Sequence, residues 1–235
     1  MIIKPKVRGF ICGSAHPEGC RVHVQEQINY IKERKKLVGP KNVLIIGAST
    51  GYGLSARIAA TYGFDANTIG VMFEKPAVGK LTAKAGWYNT AAFEKIAIED
   101  GYYAKTINGD AFSDEVKEET IDLIKRDLKT IDLVIYSLAA PRRAMEDGHV
   151  FNSCIKTTES SFVNKTLDLS NNTIKEVTIP AATEDEIAST IKVMGGEDWF
   201  LWMKKLQQAG VLSAGAKTVA FSYIGPKLTL SLIHI

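Results

Sequence analysis

The chain has 235 residues, 46% of them hydrophobic, with 29 basic and 26 acidic side chains and a net charge of +3. That length supplies one sizeable core and argues against a second full domain. The near-balanced charge, with Lys32-Glu33-Arg34-Lys35-Lys36 as its densest basic block, gives no electrostatic footprint for nucleic acid. No apolar stretch reaches membrane-spanning length, and Met1-Ile2-Ile3-Lys4-Pro5-Lys6 has no apolar leader, so no membrane partner and a cytoplasmic setting are expected. Three scattered cysteines, Cys12, Cys20 and Cys154, suit a reducing compartment. The spacing Cys12-x3-His16-x3-Cys20-x2-His23 fits no common zinc pattern, and Pro17 and Gly19 break it. The segment is read as a loop with reduced thiols and no metal.

In chain order, Val22, Val24, Ile28, Ile31 and Leu37 recur near helical spacing and predict a helix over 19–38, ended by Gly39-Pro40. Val43-Leu44-Ile45-Ile46 is an apolar run of buried-strand length. It empties into Gly47-Ala48-Ser49-Thr50-Gly51-Tyr52-Gly53 and then a helix from Leu54 to about Tyr62. Further buried strands are predicted at Thr68–Phe73, near Tyr103–Ile107 and at Ile131–Tyr136, with helices near 90–100 and 114–129. Strands that are apolar throughout and alternate with helices imply a parallel sheet covered on both faces, a doubly wound α/β fold of the Rossmann kind. From 149 to 180 the sequence turns polar and β-branched, and Asn171-Asn172 signals a small β-hairpin insertion. Thr183 with Glu186 reads as a capping box opening a helix, a second helix covers about 197–209, and Thr218–Tyr223 reads as a strand.

Strand, glycine turn and helix N-terminus in that order hold a pyrophosphate, because first-turn amides and the positive helix end meet the anion. The spacing Gly47-x3-Gly51-x-Gly53 differs from the standard dinucleotide fingerprint and looks like that of short-chain dehydrogenases. The alternative is tight packing alone. Glu74 directly follows the second strand, where a carboxylate accepts from adenosine ribose hydroxyls and repels a 2′-phosphate. NADH is therefore expected over NADPH, with Lys75 softening the preference; an ordinary exposed Glu is the alternative. Phe73 either walls the adenine or fills the core. Asp110 and Ala111 after the third strand, and Leu138 and Ala139 after the fourth, complete a set at successive strand ends, where open α/β sheets bind ligands.

Tyr223-Ile224-Gly225-Pro226-Lys227 has the Tyr-x3-Lys spacing of short-chain dehydrogenases. That spacing works on a helix face, and Pro226 disfavours a helix across it. Tyr223 is expected to end a strand, with Lys227 not beneath it.

Several stretches together carry a family resemblance: Arg8-Gly9-Phe10-Ile11-Cys12, Ala15-His16-Pro17, the glycine turn and Phe73-Glu74. Further matches are Gly109-Asp110-Ala111-Phe112, Tyr136–Arg143, Val193–Trp199 and Ser222–Pro226. The chain resembles the trans-2-enoyl-CoA reductases and the related FabV-type enoyl-acyl-carrier-protein reductases from residue 8 to about 229. The resemblance implies hydride transfer from NADH to the β-carbon of a trans-2-enoyl thioester of coenzyme A or acyl carrier protein. It places NADH on Gly47, Ala48, Ser49, Thr50, Gly51, Tyr52, Gly53, Phe73, Glu74, Asp110, Ala111, Leu138 and Ala139, and Tyr223 at the substrate. The family's proton-donor tyrosine falls at position 233, which is Ile233, and its lysine falls beyond Ile235.

Residues 1–229 are accordingly expected to be one reductase domain, incomplete at its C-terminus. Residues 230–235 read like a translated sequencing adapter, and His234 carries no role. No catalytic residue of the family is expected within the chain as it stands, so weak NADH binding and little turnover are expected. Two other readings remain: a short-chain dehydrogenase using Tyr223 and Lys227, and a non-catalytic NADH-binding module.

Overall fold

The structure, a computed structural model, describes residues 2–8, 11–79, 81–168 and 171–221. Tyr223, Lys227, Ile233 and the segment 230–235 lie outside the described residues, and so do the readings attached to them.

Strands β1 (Val7–Arg8) and β2 (Ile11–Cys12) precede helix α1 (Pro17–Lys32). Then come β3 (Asn42–Ile46), α2 (Gly51–Phe64), β4 (Asn67–Met72), α3 (Ala85–Glu99), β5 (Ala104–Asn108), α4 (Asp114–Asp127) and β6 (Ile131–Tyr136). Short strands β7 (Arg142–Ala144) and β8 (Val150–Asn152) lead to β9 (Phe162–Asp168) and β10 (Thr173–Ile179). Helices α5 (Glu184–Met194) and α6 (Glu197–Gln208) and strand β11 (Leu212–Ala220) follow. Two compact units result: of the described residues, 2–6, 12–138 and 201–221 form the first, and 7–8, 11 and 139–200 the second.

The first unit carries the expected doubly wound sheet, five parallel strands in the order β11-β6-β3-β4-β5. Val43, Leu44, Ile45 and Ile46 are all fully buried, which explains an apolar run without alternation. Period-2 geometry sends Leu44 and Ile46 to the face packed by Val116, Ile121 and Ile124 of α4 and Trp202 and Leu206 of α6. Val43 and Ile45 take the other face, with Ala60 of α2. Each such aliphatic burial contributes about 1.5–3 kcal/mol, so β3 anchors the unit from both sides. Asp132 ties three strands at their starts: its carboxylate accepts from Lys41 N at 2.8 Å, Asn42 N at 2.9 Å and Ser213 Oγ at 2.8 Å.

Helix α1 departs from the predicted 19–38. It starts at Pro17, whose fixed φ and missing donor suit a first turn, and His16 Nδ1 accepts from Gly19 N at 3.3 Å as its cap. Pro17 is thus a helix start, and Cys20 lies in the helix, as the 19–38 reading has it and against the loop reading of the Cys12–His23 segment. The helix stops at Lys32 because the chain beyond it is drawn to other partners. Lys36 pairs with Asp65, and Leu37 N donates to Gly63 O at 2.9 Å. Val24 and Ile28 are buried, whereas Val22 and Leu37 are exposed, so the core face is narrower than the spacing implied.

Strand β11 begins six residues before the predicted Thr218, with a bulge between Leu212 and Lys217 that interrupts its pairing with β6. Gly215 sits inside that bulge at φ 75°, a conformation glycine adopts freely.

In the second unit the expected insertion is present as the antiparallel pair β9 and β10, joined across Asn171-Asn172 with Asn172 at φ 55°. The capping box also forms: Thr183 Oγ1 accepts from Glu186 N, and Glu186 Oε2 accepts from Thr183 N. A second antiparallel pair, β7 with β8, had no sequence forecast. Its β8 is held to α5 by Ser189, whose hydroxyl accepts from Asn152 N and donates to Asn152 O, both at 2.8 Å.

Candidate functional site

The strand order reverses at β3, with β4 and β5 on one side and β6 and β11 on the other. The crevice at such a switch point is where open α/β sheets take ligands. At its floor, Val71 O accepts from both Gly47 N and Ala48 N, at 2.9 and 3.0 Å, which turns the chain sharply off β3. Gly47 has φ 87°, and a Cβ there would lie 2.4 Å from Ser137 O, just after β6. Ser137 N in turn donates to Ile46 O at 2.8 Å.

The glycines belong to the helix more than the sequence suggested. Helix α2 begins at Gly51, three residues ahead of the expected Leu54, with Thr50 as its cap and no side-chain hydrogen bond closing its first turn. A Cβ at Gly53 would come within 2.0 Å of Gly47 O, so glycine lets the helix seat against the turn. Gly51 differs in kind. Its φ is 54°, and a Cβ would meet no atom within 4 Å. Open space therefore lies over a helix N-terminus, as an approaching diphosphate requires. Ala48 is buried in the core, while Tyr52 is exposed and makes an edge contact with Phe221 at 6.3 Å.

Glu74 is fixed on three sides. Its Oε1 accepts from Ser49 Oγ at 2.9 Å, which couples it to the glycine turn. Asn108, at the end of β5, brackets its backbone: Oδ1 accepts from Glu74 N and Nδ2 donates to Glu74 O, both at 2.9 Å. A Cβ at Gly86 in α3 would lie 2.0 Å from Glu74 Oε1, so the carboxylate occupies the room that glycine leaves. Its Oε2 makes no hydrogen bond among the described residues and remains for hydroxyl donors. Phe73 is 68% exposed, which removes the core reading of that side chain.

The loop after β5 is held from inside. Asp110 is half-buried, and its Oδ1 accepts from Phe112 N at 3.0 Å, an Asx-type turn on its own loop. Ala111 is buried, and its carbonyl accepts from Lys117 Nζ at 2.9 Å and Trp202 Nε1 at 3.0 Å. Leu138 packs half-buried on the core beside β6. Ala139, next in sequence, is exposed and opens the second unit.

The structure thus brings Gly47, Ala48, Ser49, Thr50, Gly51, Tyr52, Gly53, Phe73, Glu74, Asp110, Ala111 and Leu138 to the strand ends of one unit. Sequence reasoning missed Asn108's bracket, Gly86, Lys117 and Trp202. It also missed Arg57, fully buried in α2, which donates to Thr106 Oγ1 and Lys105 O at 2.7 Å and lies 3.8 Å from Glu94. Burial pushes its guanidinium down to about 10, and Glu94 partly offsets this. Only Asn108 carried a usable signal, as an amide at a strand end beside glycine.

Residues 2–79 match the family model for the NAD(P)H binding domain of trans-2-enoyl-CoA reductase, and residues 81–234 match its catalytic region. The trans-2-enoyl-CoA reductase of Ruminiclostridium cellulolyticum, named for NADH, is 55% identical over 233 residues, 99% of this chain and 59% of that protein. The NADH enoyl-acyl-carrier-protein reductase of Colwellia psychrerythraea is 58% identical over 231 residues, covering 97% of this chain and 58% of that protein. Among solved structures, a Clostridium acetobutulicum trans-2-enoyl-CoA reductase in complex with NADH superposes with a TM-score of 0.93 at 42% identity, over 99% of this chain and 59% of that one. The Treponema denticola enzyme in complex with NAD gives 0.92 at 44%, over 99% of this chain and 60% of that one. The chain therefore spans less than two thirds of these relatives' lengths. Over nearly all of its own length, it belongs to the trans-2-enoyl-CoA reductase family.

Proposed function

We propose that this chain carries the NADH site of an enzyme that reduces trans-2-enoyl thioesters to saturated acyl thioesters. The observation that carries the reading is Glu74, locked by Ser49 and Asn108 beside the glycine turn with one carboxylate oxygen left open. Gly47, Ala48, Ser49, Thr50, Gly51, Tyr52 and Gly53 form the cradle of the diphosphate. Glu74 binds the adenosine ribose hydroxyls and selects against a 2′-phosphate. Phe73, Asp110 and Ala111 border the adenine and Leu138 the rest of the cofactor, while Ala139 and Tyr223 keep only the cofactor and substrate roles that the family resemblance gives them.

NADH, when bound, supplies the hydride that adds to the substrate's β-carbon. The α-carbon then takes a proton from a positioned donor, and the products are the saturated thioester and NAD+. No described residue is assigned that donor role. The thioester is carried by coenzyme A or by acyl carrier protein, the two substrate names among the relatives. The thiols of Cys12, Cys20 and Cys154 are free, which fits a cytoplasmic setting.

Deuterium placed at the transferable position of NADH tests the reading, with a trans-2-enoyl-CoA as acceptor and mass spectrometry of the product. A small yield of saturated thioester deuterated at the β-carbon is the expected result, because Ile233 stands where the family has its proton-donor tyrosine. With a 3-oxoacyl-CoA supplied as a second acceptor, deuterium at the carbinol carbon of a 3-hydroxyacyl product would favour a short-chain dehydrogenase of the Tyr223 and Lys227 kind. NADH binding without transfer to any acceptor would favour a non-catalytic module.

A further inference from the structure

Lys117 is a charged side chain with no solvent exposure. It lies in the first turns of α4, and its Nζ donates to three successive carbonyls: Ala111 O at 2.9 Å, Phe112 O at 2.8 Å and Ser113 O at 3.4 Å. The ammonium also sits 5.3 Å from the ring centre of Trp202, itself fully buried. Trp202 Nε1 donates to the same Ala111 carbonyl at 3.0 Å. Burying an ammonium is costly unless its donors are all used, and three converging carbonyls plus an aromatic face offset that cost. A leucine or methionine would fill the same space without desolvating a charge. What the ammonium adds over such a residue is its set of hydrogen bonds to the loop carbonyls.

What the charge does is fix which way the loop faces. With the carbonyls of 111–113 drawn inward to one cation, the Asp110 side of the turn is held at the strand ends. The same loop begins at Asn108, whose side chain brackets Glu74, and at Gly109, whose amide donates to Met72 O at 2.8 Å. A Cβ at Gly109 would lie 2.5 Å from Val116 Cγ2, so the loop has no slack against α4. A displacement at 111–113 therefore reaches the carboxylate proposed to hold the ribose.

We propose that Lys117, with Trp202 behind it, is a positioning residue for the adenosine half of the cofactor. It acts through the 108–113 loop and does not touch the ligand. The proposal rests on the NADH reading of the site. Loss of the ammonium loosens the adenosine pocket and leaves the diphosphate turn, built by β3 and α2, in place.

The test titrates the full chain with NADH, ADP-ribose and nicotinamide mononucleotide, the last lacking the adenosine half. Lys117→Met, Lys117→Arg and Trp202→Phe are compared with the parent chain. Lys117→Met is expected to weaken NADH and ADP-ribose by about tenfold, the low end of what loss of an outer orienting partner costs at metal sites. Its affinity for nicotinamide mononucleotide is expected to hold, and Lys117→Arg is expected to restore part of the loss. A merely structural lysine would lower all three affinities together with the melting temperature, or none of them, and either pattern overturns the proposal. If Lys117→Met does not fold, Trp202→Phe keeps an aromatic face and removes the bond to Ala111 O together with part of the buried indole volume. It must then show the same split, more weakly. A parent chain that binds neither NADH nor ADP-ribose refutes the site itself, whereas a parent that binds both and a Lys117→Met that matches it refutes only the role of Lys117.

Discussion

Glu74 illustrates how neighbours fix one side chain in place. An exposed carboxylate on a mobile tether discriminates weakly, but this one is fixed by Ser49 at one oxygen and by Asn108 along its backbone. Asp127 shows the same logic applied to stability. Its carboxylate accepts from Arg126 Nε at 2.8 Å, Lys105 Nζ at 2.7 Å and Tyr103 Oη at 2.6 Å, and these hold its pKa well below the ordinary aspartate range. Folded pKa below unfolded pKa means stabilisation above the unfolded value of about 3.9, lost as pH falls through the folded value. Asp127→Asn is therefore expected to melt earlier than the parent at neutral pH, with the difference shrinking as the melts are taken into strong acid. A difference that stayed constant with pH would show that Asp127 contributes nothing through its charge. The Asp127 network was not legible in the sequence, because Tyr103, Lys105 and Asp127 meet only once β5 and α4 are packed, whereas Glu74 was legible and its Ser49 and Asn108 partners were not.

At the scale of elements, the strands were the most legible part. β6 was predicted at its observed bounds and β3 and β4 to within a residue, because strands buried on both faces are apolar throughout. The capping box of α5 was readable because its two bonds are local. Helix ends controlled by distant partners were not, as Lys36 with Asp65 and Leu37 with Gly63 show at the end of α1. The glycines of the turn were visible as a group, yet their separate roles depend on what each would meet in the fold. Gly53→Ala puts a methyl against Gly47 O, and the helix must shift; overpacking of this kind costs about 1–3 kcal/mol. Gly51→Ala meets no protein atom and carries only the left-handed φ penalty of about 1–2 kcal/mol. Thermal melts paired with NADH titrations separate the two. Gly53→Ala is expected to lose stability and binding in step, while Gly51→Ala loses more binding than its φ penalty accounts for. Equal binding by Gly51→Ala and the parent would mean that no ligand approaches there.

At the scale of the whole molecule, the described residues proposed for the cofactor lie in the first unit, Ala139 excepted, and the β9 and β10 pair belongs to the second. Among the described residues, no helix is long and apolar enough to cross a membrane. The sequence supported a single domain and left the division into units unseen, since the boundary at 138 and 139 falls inside a run of small residues without a linker. NADH at a hundredfold excess over its dissociation constant stabilises a binding unit by about 2.7 kcal/mol. Hydrogen exchange with and without NADH is expected to slow across residues 46–60, 72–75 and 108–113 and to leave 162–179 unchanged. Protection centred on 162–179 would move the site away from the glycine turn.

The central claim is that Glu74 makes this turn an NADH site, and parallel titrations of the chain with NADH and NADPH test it most directly. The parent is expected to prefer NADH by at least about tenfold, the order of one lost charge-assisted hydrogen bond, and Glu74→Gln to narrow that preference chiefly by gaining NADPH. Equal affinity of the parent for the two cofactors, or a preference untouched by Glu74→Gln, would contradict it.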